Sequence, residues 1–183
     1  MSAAFSPAQL RASLWARQGS RVHAVIDGLV VPGIAEKLKG AKLAGWDCLQ
    51  RGALSAEAAE RAPYLAELSS ESSPFTDWLL DEATPTYPGW GVLFISTRPL
   101  LAVREHCRSI GEVILPDGDR RPWRWYDPEV LLAILPTLLA GQLDEVFGLD
   151  QAIIIPAAHA WTWLSMQEGL LATDTRPLMA PAR

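Results

Sequence analysis

Apolar positions follow two rhythms along the chain, and Pro, Gly and Ser break them at regular intervals. Short β-branched or alternating runs predict strands at 22–26, 46–49, 64–68, 91–95 and 152–155. Helical spacing predicts helices between them. Ser6, Pro7 and Gln9 form a helix start with a capping box, and Leu10 and Leu14 share the face behind it. Further helices are predicted at 32–38, after Ser55, after Ser73-Pro74, at 99–108, after Asp127-Pro128 and at 138–147. Pro136 should end or kink the sixth of these seven, and residues 84–89 read as a loop. Residues 110–115, Asp117-Gly118 and 121–126 predict a β-hairpin, because Asp-Gly supplies the positive φ of a tight turn. On such a strand Trp123 and Trp125 face the core, and Arg124 points the other way, where it needs a carboxylate or a carbonyl. Residues 157–171 would be apolar nearly all round as a helix, which demands burial or a partner. The spacing of Trp161 and Trp163 suits a strand as well.

Strands alternating with helices, and one hairpin among them, predict an α/β (α+β) fold: a mixed β-sheet with an antiparallel hairpin, flanked by short helices. No composition shift marks a linker, so one domain is expected over residues 1–171, with 172–183 a flexible tail.

Composition narrows the function. The chain has 183 residues, 49% of them hydrophobic, and a net charge of −5. It can build a core and is not a disordered chain. No basic half or tail exists, which speaks against nucleic acid or an anionic membrane as partner. The longest apolar stretches fall short of the ~20 residues that span a bilayer. Two cysteines make no disulfide framework, and residues 1–19 lack a continuous apolar signal core, so a cytoplasmic protein is expected.

Candidate chemistry is sparse. His23, His106 and His159 have no metal-ligand spacing, and no G-x-S-x-G, P-loop or G-x-G-x-x-G occurs. His106 and Cys107 are adjacent, and helical neighbours point about 100° apart, so they cannot pair directly. No catalytic residue, cofactor or metal is expected. Residues 62–97 carry five acids (Glu67, Glu71, Asp77, Asp81, Glu82) and no Lys or Arg. That is either a solvated helix face or a face for a basic partner. Trp161 and Trp163, with Glu71, Asp77 and Asp81, are the candidate partner-binding residues.

Several segments, taken in order, resemble one family. They are 22–28 ending in Asp27-Gly28, then Ala62-Pro63-Tyr64-Leu65, Phe75 through Trp78, Trp90-Gly91, and Pro116-Asp117-Gly118. Arg124-Trp125-Tyr126-Asp127-Pro128 follows, then Leu135-Pro136, Gln142-Leu143 and Phe147-Gly148. Over residues 22–155 this order is similar to the type VI secretion adaptors, the Tap/TEC-type effector chaperones. The resemblance implies a non-enzymatic cytoplasmic adaptor that binds an effector and helps load it onto the VgrG spike. Family members usually have Phe where this chain has Trp125, and often a base at Glu129. Many also continue well past the shared region. The motif residues Asp27, Gly28, Pro63, Tyr64, Trp78, Arg124, Tyr126, Asp127 and Pro128 are expected to build the fold. Asp127 should cap the helix that Pro128 begins. Two other functions fit the residues: a small hydrolase or transferase using Cys48 or Cys107, and an interaction module unrelated to secretion.

Overall fold

A computed structural model describes residues 4–114, 117–148 and 152–179. Leu115 and Pro116 of the expected hairpin, and the end of the expected tail, lie outside the described residues.

Seven strands form one sheet, in the order β2 (Trp46–Cys48), β3 (Pro63–Leu68), β1 (Arg21–Asp27), β4 (Gly91–Ser96), β7 (Ala152–Pro156), β8 (Ala160–Gln167) and β9 (Leu170–Pro177). Every neighbouring pair in it is antiparallel. The α+β class stands as expected. The hairpin does not belong to this sheet: β5 (Glu112–Ile114) and β6 (Arg120–Pro122) pair as a separate ribbon. Both strands are shorter than the pattern suggested. Trp125 lies beyond the ribbon, and the core buries it without strand pairing.

Strand alternation sorts side chains onto two faces. Val22, Ala24 and Ile26 of β1 join the first cluster, with Leu93, Ile154, Trp161 and Trp163. That face is covered by α1 (Pro7–Leu14), α2 (Ile34–Gly40) and the helical stretch beginning with α4 (Pro74–Asp77). Val25, Leu65, Phe94, Ile153 and Leu164 join the second cluster, under α6 (Leu100–Ser109), α7 (Pro128–Ile134) and α8 (Ala140–Phe147). The short helix α3 (Ala56–Arg61) buries none of its residues and leads into β3. Three layers result, with the sheet in the middle.

The expected caps are in place. Ser6 accepts from the Gln9 amide while the Gln9 side chain accepts from the Ser6 amide. Asp127 accepts from the amides of Glu129 and Val130 at the start of α7. Pro136 sits in a 3-10 turn, Leu135–Thr137, that ends this helix.

Two expectations need correction, and one open choice is resolved. Residues 157–171, for which helix and strand both fit the spacing, hold β8 from Ala160, a turn and the start of β9. The turn is Glu168-Gly169, both with positive φ (52° and 77°), which suits a two-residue hairpin. Residues 172–177, expected to be flexible, make up most of β9, where Thr162 faces Thr175 and Trp163 faces Asp174. Residues 84–89 are partly helical: a π-helical turn, Trp78–Ala83, runs into α5 (Thr84–Thr86).

Candidate functional site

Most family-like motif residues meet at one end of the sheet. β1 ends on Asp27, which is only 1% exposed, and the guanidinium of Arg124 pairs with its carboxylate. Arg124 also approaches Asp127 at 3.6 Å. The Asp27 bond holds the Arg124 pKa above its usual value, and burial pushes the Tyr126 hydroxyl up beside it. Gly28 follows because nothing larger fits: a Cβ there would lie 2.5 Å from the Ala62 carbonyl oxygen. Pro63 pairs with Asp27 in the sheet, and the Tyr64 hydroxyl donates to the Ala59 carbonyl at 2.7 Å. Trp125 packs edge-on against Phe94 and Tyr126, and its indole N–H donates to the Cys107 carbonyl. Trp78 lies apart from this latch, against Phe75 and under the Lys37 ammonium at 4.0 Å.

The expected partner-binding residues separate. Trp161 and Trp163 are stacked at 5.9 Å, but they are only 5% and 8% exposed. They were expected as anchors offered to a partner. As alternate residues of one strand, both point into the first cluster, and Arg176 lies over Trp163 at 3.9 Å. Glu71 stands on the rim of a second hollow that also includes Arg21 and Lys42.

Trp161 and Asp81, in contrast, come together. They line an open hollow of about 470 Å³ with Leu80, Ala157, Ala158 and Arg11. Arg11 bridges to Asp77 at 2.5 Å, which holds the Asp77 carboxyl below the usual carboxylate range. Asp81 is 3.9 Å from the same guanidinium, beyond hydrogen-bond reach, and its side chain is 58% exposed. The wide turn Trp78–Ala83 presents Leu80 and Asp81 to the hollow. Thr84 pins that turn: its hydroxyl donates to the Leu79 carbonyl at 3.0 Å and accepts the Trp90 indole N–H at 3.1 Å. Sequence reasoning found the acids and Trp161 by charge run and aromatic spacing. It missed Arg11, Ala157 and Ala158, for which composition carries no signal.

Cys107 is buried, and burial pushes the half-buried Cys48 thiol above its ordinary pKa. A ring nitrogen of His106 lies 2.8 Å from the Val146 carbonyl oxygen. Among the described residues, no group of three His, Cys, Asp or Glu is placed to hold a metal ion. No helix among them is long and apolar enough to cross a membrane.

His23 is fully buried on β1, and neither ring nitrogen has a hydrogen-bond partner among the described residues; Glu67 is 3.8 Å from Nε2. Burial, with Arg21 nearby, pushes its pKa down from 6.5 to about 4. Between those values the unfolded chain binds the extra proton and the folded chain does not. Stability is therefore retained above pH 6.5 and falls as pH drops toward 4. His23→Leu should remove up to about 3 kcal/mol of this pH dependence. Urea unfolding at pH 7 and pH 4.5 checks it; equal pH sensitivity in both proteins would rule out His23 as the source.

The fold and site together define a helix-covered antiparallel-sheet protein with a half-buried ion-pair latch and an aromatic-lined hollow. The chain belongs to the family described as Domain of unknown function (DUF4123), whose model matches residues 22–145. That family is associated with effector loading in type VI secretion. No curated protein and no solved structure matches the chain.

Proposed function

We propose that this protein is a non-enzymatic cytoplasmic adaptor that binds a type VI effector and promotes its loading onto the VgrG spike. Family membership over residues 22–145 is the observation that carries this reading. The geometry supports it in two ways. Asp27, Gly28, Arg124 and Asp127, the residues behind the resemblance, are occupied in holding the fold. The recessed surface around Trp161 offers an apolar floor with a charged rim, the anatomy of a protein-binding patch. The competing reading, a cysteine-dependent hydrolase, needs a thiol of lowered pKa, and burial pushes that of Cys48 the other way. The binding itself involves no covalent step and no cofactor.

The test is co-purification of the full chain with the effector and spike proteins encoded beside its gene. The expected result is a stable complex with the effector that also retains the spike. Binding to neither under native conditions overturns the proposal.

A further inference from the structure

We propose that the hollow between the Trp78–Ala83 turn and residues 157–161 receives a protruding arginine or lysine of the partner, flanked by apolar residues. The inference rests on the adaptor reading and adds the partner chemistry that this surface selects.

Three observations converge on the hollow. Its volume, about 470 Å³, falls within the roughly 300–1,000 Å³ typical of formed binding sites. The floor is apolar, made by Leu80, Ala157, Ala158 and Trp161, and can cover the methylene stem of a long side chain. The rim carries an acid that is only partly compensated. One guanidinium, that of Arg11, serves two carboxylates, and Asp77 takes it at 2.5 Å. Asp81, at 3.9 Å, remains available to a cation from outside. The surrounding stretch, residues 62–97, supplies no Lys or Arg of its own. A carboxylate on a partner would meet this rim unfavourably, and a purely apolar side chain would leave Asp81 partly desolvated without a partner. A cationic head on an apolar stem satisfies both floor and rim.

The site is also built in advance. π-helical turns are rare and recur at functional positions. This one is locked from below, since Thr84 joins the Leu79 carbonyl to the Trp90 indole. Trp90 is itself fixed by the main chain: its amide donates to the Tyr87 carbonyl, and its own carbonyl accepts from the Asp27 amide at 2.8 Å. The Trp90-Gly91 motif is thereby connected to the presentation of Asp81. A site that needs no ordering on binding wastes less of its interaction energy.

Full-length variants tested against the same effector by isothermal titration separate the possibilities. Asp81→Lys should weaken binding about tenfold or more, and Asp81→Asn should weaken it less and flatten its salt dependence. Ala158→Trp, which fills the hollow from an exposed position, should also weaken binding. Glu82→Lys, an adjacent reversal outside the lining, should change it less than threefold. Melting temperatures within a few degrees of the parent show that the variants fold. A photo-cross-linker at position 158 should label an effector segment containing Arg or Lys beside apolar residues. Parent affinity in Asp81→Lys and Ala158→Trp, or cross-links confined to a segment without a basic residue, overturns the inference and leaves the adaptor reading standing. Absence of effector binding by the parent overturns both.

Discussion

Gly91→Ala is expected to leave little folded protein. Gly91 opens β4 opposite Ile26 of β1, with φ at +148°. A Cβ there would sit 1.9 Å from the Val25 carbonyl oxygen, a main-chain atom of the central strand that cannot step aside. Backbone strain of this kind costs about 1–3 kcal/mol, and forcing an extra carbon into a packed site costs about as much again. Together these approach the roughly 5–15 kcal/mol that holds a whole domain folded. Gly89 provides the control two residues earlier. Its φ is +73°, but nothing lies within 4 Å of its Cβ position. Gly89→Ala should cost only the left-handed penalty, about 1–2 kcal/mol. Soluble yield and urea unfolding of both variants decide the matter. Equal losses in the two would mean that φ alone, and not the contact with β1, makes Gly91 necessary.

That contrast shows what a sequence displays and what it conceals. Strands β1 to β4 and β7, the caps at Ser6 and Asp127 and the stop at Pro136 depend on neighbours a few residues away, so local pattern reveals them. The need of Arg124 for an acceptor, a carboxylate or a carbonyl, was also legible, because a guanidinium among aromatics requires one. That the acceptor is the carboxylate of Asp27 was not, since Asp27 is 97 residues away and the fold brings it there. The β8–β9 hairpin was missed because Glu168-Gly169 is a weaker turn signal than Asn-Gly or Asp-Gly. The wide turn at Trp78–Ala83 was invisible for another reason. Phe75, Trp78, Leu79 and Glu82 are spaced for an ordinary helix, and the wide turn is braced by side-chain bonds from Thr84 to the Leu79 carbonyl and the Trp90 indole, which apolar spacing does not encode. For the hollow, charge run and aromatic spacing supplied Asp81 and Trp161. Ala157 and Ala158, which also line it, are small and leave no mark in the pattern.

Arg124→Ala is expected to destabilise the protein by about 3 kcal/mol. The reason lies in the residue left behind. Asp27 is 1% exposed, and Arg124 is its one side-chain cation among the described residues. Removing one member of a buried pair costs about 3–5 kcal/mol, because the other charge stays in the interior unpaired. Arg124 is 44% exposed, so water can partly replace it, which argues for the lower end. Asp27 also holds the corner beyond β1 through its main chain and side chain: the Leu29 amide donates to Oδ1, and the Val30 and Val31 amides donate to its carbonyl. Loss of the guanidinium should therefore loosen residues 27–31 before the rest of the sheet. Arg124→Lys keeps the charge and should recover part of the loss, without the planar fork that also reaches toward Asp127. The double variant Asp27→Asn, Arg124→Ala removes the stranded charge and should be more stable than Arg124→Ala alone. Urea unfolding of the parent, Asp27→Asn, Arg124→Ala and the double variant at pH 7 gives the coupling energy directly. A double variant no more stable than Arg124→Ala would show that the arginine acts through packing on Trp125 and Tyr126 and not through the buried carboxylate.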